Sequence, residues 1–250
     1  MTSHPAAGGI APPAQLTNMR LCLATLLECM EAPDGSPRMG LLYGPSGYGK
    51  SYAAAHATAH VDAAYIVAKS IWTQRSLLEA IAREIGIAGM ARTGPKLLDQ
   101  IIDQLLVEPQ PLIVDETDHI VVKKSVEIIR DIHDNARVPI LMIGEEKLPA
   151  KLKEWERFDN RILRATPAQP SNLSDALLLR DFYCQRVAVA DDLVEAIVAA
   201  TGGITRRIAI NLQAAQAAAL QGGTDAIDLA GWKRLGRAFT TGHVAMRRAA

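Results

Sequence analysis

Cysteine is scarce: Cys22, Cys29 and Cys184 are the only three in 250 residues. They are too few and too scattered for a disulfide framework or a zinc knuckle, and a reducing cytoplasmic setting is expected. Neither sign of charge is in excess, with 27 Lys plus Arg against 27 Asp plus Glu. That argues against a histone-like or polybasic binder, while leaving room for a local basic stripe that holds nucleic acid. A run of about 18 apolar residues is missing. The opening "MTSHPAAGGIAPPAQ" has neither the basic nor the apolar portion of a signal peptide, so secretion and membrane spanning are disfavoured. There is no internal repeat or long low-complexity block. What is present is a chain with 49% hydrophobic residues, long enough for one sizeable core or a core plus a smaller satellite domain.

The hydrophobic pattern alternates between two periods. "QLTNMRLCLATLLECMEA" is spaced for one helical face, "PDGSP" breaks it, and "MGLLYG" is a short apolar strand. "KSYAAAHATAH" then reads as helix, "AAYIVAK" as strand, "SLLEAIAREIG" and "KLLDQIIDQLLVE" as helices, and "PLIVDE" as a strand buried on both faces. The helix "SVEIIRDIHDNA", the strand "PILMIGEE" and a polar helical stretch "PAKLKEWERFDNRI" follow. Strands alternating with helices predict an α/β domain with a parallel sheet covered on both faces. From about residue 170 the pattern becomes four helical periods with no convincing strand, which predicts a small all-helical second domain. The expected division is a flexible lead over 1–14, the α/β domain over 15–169 and the helical domain over 170–250.

Gly44, Gly49, Lys50 and Ser51 match the phosphate-loop spacing G-x-x-x-x-G-K-S/T, after a predicted strand and opening a predicted helix. The run Gly44, Pro45, Ser46, Gly47, Tyr48, Gly49, Lys50, Ser51, Tyr52 is therefore the candidate nucleotide cradle. Glycines let backbone N–H groups turn toward phosphates, and the helix N-terminus adds a favourable dipole. Lys50 would reach the β and γ phosphates, and the Ser51 hydroxyl would ligate Mg²⁺. About 65 residues on, "LIVDE" ends an apolar strand with two acids. Asp115 would belong to the Mg²⁺ shell, and Glu116 is placed to orient and deprotonate an attacking water. With "AAYIVAK" as an extra strand between loop and acids, the arrangement resembles the branch of phosphate-loop ATPases whose catalytic glutamate lies on the Walker B strand.

Together "GPSGYGKS", "LIVDETDHI", "RDIHDNARVPILMIGEEKLPAKLKEWERFDNRI" and "GGITRRIAINL" resemble the AAA+ ATPases related to the Mu-type phage B transposition protein. More distantly they resemble ATPases of the ExeA, TnsC and origin-recognition type. The resemblance covers residues from about 15 to 235. It implies a phosphate-loop NTPase core of the AAA+ kind followed by a helical lid, ATP and Mg²⁺ as cofactors, and assembly as a homo-oligomer, ring or helical filament, on double-stranded DNA. It also implies delivery of target DNA to a transposase. By position it makes Glu146, or Glu145 beside it, the sensor 1 residue, where relatives carry Asn, Ser or Thr. Arg161 becomes the arginine finger reaching a neighbour's ATP, with Arg157 competing, and Arg206 the sensor 2 residue, with Arg207 pointing elsewhere.

Lys123 and Lys124, just past the acidic strand, and Lys151 and Lys153 in a second cluster with Lys147, are the candidate DNA contacts. His56 and His60 have the spacing of a zinc pair but lack the glutamate of H-E-x-x-H. Asp118 and His119 in "DETDH" read as loop or helix-start residues. Two alternatives stay open: an ExeA-like ATPase acting on protein clients, and an initiator-like or clamp-loader-like ATPase.

Overall fold

The computed structural model describes residues 16–33 and 35–242. The expected lead over 1–14 lies outside them. By its contacts the chain divides into one unit over Asn18–Gln169 and another formed by residues 170–242 together with residues 16 and 17.

In the first unit five strands form one parallel sheet. They are β1 (Met39–Tyr43), β2 (Ala64–Val67), β3 (Leu112–Asp115), β4 (Ile140–Gly144) and β5 (Ile162–Pro167), in the order β2-β3-β4-β1-β5. Strands β3 and β4 are buried along their whole length, as an interior strand covered on both faces must be. Helices α1 (Thr17–Glu31), α2 (Lys50–Val61), α3 (Gln74–Glu84), α4 (Gly94–Val107), α5 (Asp118–Val122), α6 (Val126–Ala136), α7 (Leu148–Lys153) and α8 (Glu156–Asp159) connect them. Met39 and Leu41 of β1 point into a core shared with Leu77, Leu97 and Ile129 of α3, α4 and α6. On the opposite face α1 lies so close to β1 that a side chain on Gly40 would meet the Cys29 sulfur at 2.9 Å. Register aligns the strand ends, with Tyr43 opposite Gly144 and Val67 opposite Asp115. The loops leaving β1, β3 and β4 consequently emerge at one edge, the usual ligand edge of an open parallel sheet.

The structure corrects the reading of "PAKLKEWERFDNRI". That stretch is two short helices, α7 and α8, parted by a turn at Trp155, and the chain then enters β5, a strand the periodicity did not predict. β5 is an edge strand of mixed exposure ending in Pro167, and it carries Arg164 facing Glu28. It alternates poorly, because one side of its ladder needs no partner and tolerates proline.

The second unit contains α9 (Leu173–Tyr183), α10 (Asp191–Thr201), α11 (Thr205–Gln221) and α12 (Leu229–Arg234). Helix α9 starts with a capping box in which Asn172 and Asp175 exchange hydrogen bonds, and Asp175 also accepts from the Thr17 amide at 2.8 Å. The expected absence of strands does not hold: β6 (Ala188–Val189) and β7 (Ala226–Ile227) pair in parallel. Two-residue strands are too short for a period-2 signal. What drives them together is burial of Val189 and Ile227 on the helices.

Candidate functional site

The phosphate loop leaves β1 at Tyr43 and enters α2 at Lys50. Gly47 and Gly49 have φ of 86° and 79°, left-handed values that admit glycine without strain and turn successive amides to one side. The α2 ladder begins with the Ala53 amide on the Gly49 carbonyl at 2.9 Å, so the first-turn amides stand outside it. Lys50 Nζ folds back on the carbonyls of Gly44 and Pro45 at 2.7 and 2.9 Å. Burial lowers the basicity of Lys50, opposed by the carboxylates of Asp115, Glu116, Glu145 and Asp118. Ser51 and Tyr52 are exposed beside it.

Nothing in the residue pattern marks what braces the loop. Asn18, buried at the start of α1, donates from Nδ2 to the carbonyls of Tyr48 and Gln169, both at 2.8 Å, and its Oδ1 accepts the Gln169 amide at 2.8 Å. One side chain thus ties the loop to the segment leaving β5. A lone asparagine in a helical pattern carries no periodic signal that would have singled it out.

At the end of β3 Asp115 is 3% exposed. Its Oδ2 accepts the Tyr65 hydroxyl at 3.0 Å and its Oδ1 the Glu116 amide at 2.8 Å. Burial, and then the Asp115 charge, push the Tyr65 phenol far above its ordinary range, so Tyr65 remains a donor. Glu116 has φ 54°, a left-handed conformation rare for a residue with a side chain and a mark of strained functional positions. The chain turns sharply there, and the Glu116 carboxyl leaves the line of the strand and joins the charges that act on Lys50.

Of the two acids after β4, both exposed, Glu145 is among the charges that act on Lys50. Asp118, read from sequence as a loop or helix-start residue, does open α5, and it is also buried in the site, where it accepts the Glu145 amide at 2.6 Å and Lys151 Nζ at 2.5 Å. Lys151, expected among the DNA contacts, is thereby committed to an ion pair inside the site. Lys123, Lys124 and Lys153 are exposed, and Lys123 Nζ reaches the Trp72 carbonyl at 2.9 Å.

Arg161, expected to reach a neighbour's nucleotide, instead grips Asp134 with two parallel hydrogen bonds of 3.0 Å and caps the Arg157 carbonyl at 3.0 Å. Such a fork is costly to release. Arg157, on the exposed side of α8, makes no ion pair or side-chain hydrogen bond among the described residues. In the second unit Arg206 is exposed on the first turn of α11, and Arg207 is half-buried beside Gly242 rather than in solvent. Among the described residues no cluster of His, Cys, Asp and Glu could by itself hold a metal ion, and no helix is long and apolar enough to cross a membrane.

A nucleoside triphosphate with Mg²⁺ fits what is there. Turned amides and an open helix N-terminus suit phosphate, and Ser51 and Asp115 offer the oxygen donors a hard cation takes.

The fold and this site define a class. A five-stranded parallel sheet in this order, with a phosphate loop after β1 and paired acids at the end of β3, is the fold of an AAA+ phosphate-loop NTPase. Residues 34–152 match the family described as AAA domain. Among solved structures, the ORC2 protein of Aeropyrum pernix in its ADPNP and ADP complexes is similar, with a TM-score of 0.67 at 17% identity over 94% of this chain and 72% of that one. Cdc6p of Pyrobaculum aerophilum has a TM-score of 0.62 at 15% identity, over 90% of this chain and 66% of that one. The ORC1 protein of Aeropyrum pernix in complex with DNA has a TM-score of 0.60 at 17% identity, over 90% and 65%. The chain thus spans about two thirds of the length of the last two. At these identities the likeness is one of fold. No curated protein matches the sequence.

Proposed function

We propose that this protein is an ATPase that assembles on double-stranded DNA in its ATP-bound state with little sequence preference. The observation that carries the enzymatic part is the convergence of Lys50, Asp115 and a strained Glu116 at one edge of the sheet. In hydrolysis Glu116 orients a water in line with the γ-phosphate and takes its proton, while Lys50 leaves its two loop carbonyls for the β and γ oxygens. Asp115 and Ser51 would hold Mg²⁺, and the Tyr65 hydroxyl keeps the Asp115 carboxylate oriented. Mg²⁺ held by these residues would supply neutralising charge to the phosphates. Arg157 of a neighbouring copy is better suited than Arg161 to add positive charge there, because its side chain is not engaged among the described residues.

The DNA part rests on exposed Lys123 and Lys124, on the resemblance to the Mu-type transposition ATPases, and on the fold shared with an initiator protein solved in complex with DNA. Delivery of that DNA to a transposase is the finer reading, supported by the sequence resemblance alone. A second reading has an observation of its own. Ile71 and Val122 are 82% and 74% exposed on the two segments joined by the Lys123 to Trp72 hydrogen bond, an apolar tip that suits a protein client.

The deciding experiment is fluorescence anisotropy of a labelled random-sequence duplex with ATP, ADP or no nucleotide, across a salt series, with Lys50→Ala alongside. Binding that needs ATP, weakens steeply with salt and disappears in the variant supports DNA loading. ATP turnover without DNA binding in any state transfers the reading to protein clients.

A further inference from the structure

Of the four carboxylates whose charges act on Lys50, two are buried with both oxygens occupied: Asp115, described above, and Asp118, whose side chain is 8% exposed and which pairs with a lysine. Oδ1 receives Lys151 Nζ at 2.5 Å, and Oδ2 receives the backbone amide of Glu145 at 2.6 Å. The approach leaves no room beside it. A Cβ on Gly144 would collide with Asp118 Oδ2 and stand 2.7 Å from the Leu148 side chain. Gly144 in turn accepts, through its carbonyl, the amide of Gly44, the first residue of the phosphate loop, at 3.3 Å. A continuous chain of contacts therefore runs from Lys151 on α7, through Asp118 on α5, to the end of β4, and from there to the phosphate loop. Asp118 lies 33 residues from Lys151, so sheet topology, not local sequence, brings the pair together.

A carboxylate this deeply buried is unfavourable unless charge and hydrogen bonds compensate it. Lys151 supplies the charge from the more exposed side, at 34% exposure, and the Glu145 amide supplies the inner hydrogen bond. Without Lys151 the buried carboxylate would be left without a counter-charge, and its geometry toward the β4 end would loosen. With it, the β4 end is held against Asp118 on one side and the phosphate loop on the other.

We propose that Asp118 and Lys151 are a positioning pair for nucleotide hydrolysis, fixing the Gly144–Glu145 terminus of β4 against the phosphate loop without touching the nucleotide. This assignment rests on the ATP-hydrolysis reading above. Placement errors of about 1 Å in an active site can slow chemistry by up to about a hundredfold while leaving binding nearly intact.

The test is single-turnover ATP hydrolysis by the full chain, with mant-ATP binding and thermal unfolding measured on the same preparations. Lys151→Met should slow hydrolysis at least about tenfold with mant-ATP affinity within about twofold of the parent chain. Lys151→Arg should restore most of the rate. Asp118→Asn should match Lys151→Met, and the double variant should be no slower than either single one, as members of one unit behave. A normal rate in Lys151→Met, or a lowered unfolding midpoint with the rate unchanged, overturns the assignment. Turnover in Glu116→Gln equal to that of the parent chain would instead remove Glu116 as the base, and a parent chain with no turnover sinks both the hydrolysis reading and this assignment.

Discussion

Glu116 joins a structural cost to a proposed function. A side chain held at φ 54° costs on the order of 1–3 kcal/mol, and nothing in the strand's own packing requires it. In the proposed reaction the turn separates the roles of two adjacent acids. Asp115 stays in line with β3 under the Tyr65 hydroxyl, while Glu116 swings toward the phosphate end. Glu116→Gln keeps the size and the turn but removes the base. It should lower the hydrolysis rate by about a hundredfold or more with ATP affinity preserved, measured by phosphate release and mant-ATP titration. A rate within about threefold of the parent chain would dismiss Glu116 as the base. The three cysteines offer no competing chemistry. Burial, the largest cause in each case, pushes the thiols of Cys22 and Cys29 up to about 12 and that of Cys184 up to about 11, so none ionises near neutral pH.

At the scale of elements, α6 and the entry to β5 are joined by a polar network. Buried His133 accepts the Arg38 amide on Nε2 and faces Asp134 through Nδ1, and Asp134 holds Arg161. Burial lowers the His133 pKa from its ordinary 6.5, although Asp134 pulls the other way. Against the opposing push of its own partial burial, Arg161 and His133 hold the Asp134 carboxyl below its usual range. For His133 the folded pKa lies below the unfolded one, so protonation favours unfolding and stability falls as pH drops below about 6.5. Asp134 contributes stability above its unfolded value near 3.8 that is lost only in stronger acid. Chemical denaturation of the parent chain and of His133→Gln between about pH 7 and 5 should show a shallower loss in the variant. Parallel curves would mean that His133 does not titrate in this window. The same network separates the two arginines. Arg161→Ala should lower stability. Arg157→Ala, which gives up no partner among the described residues, should leave unfolding unchanged and reduce ATP turnover in the assembled state. Equal turnover in both would exclude Arg157 from the reaction.

For the molecule as a whole, the balance of 27 positive and 27 negative side chains means that attraction to DNA cannot come from net charge. In the proposed DNA loading it would have to come from local cations repeated through an assembly. Lys123 and Lys124 are the exposed pair at the loop edge. Replacing both with alanine should reduce the slope of log affinity against log salt by about 0.9 for each DNA phosphate that a protomer no longer neutralises. An unchanged slope would take these lysines out of the interface.

The phosphate loop and the acidic strand were legible in the sequence because their chemistry is contiguous: a glycine-rich turn, a lysine at a helix start, and two acids closing an apolar run. Strands β1, β3 and β4 were legible for a related reason, since interior strands read as unbroken apolar runs, and β2 kept enough of that run to be seen from the sheet's edge. Tertiary structure alone decided the rest. Edge strand β5 needed only one neighbour, so its composition did not have to announce it. Arg161 was drawn to Asp134, 27 residues away, and Lys151 to Asp118, 33 away. Asn18 reached Gln169 across 151 residues. Such partners are chosen by the parallel register that brings strand ends together in space, and spacing along the chain holds no trace of them.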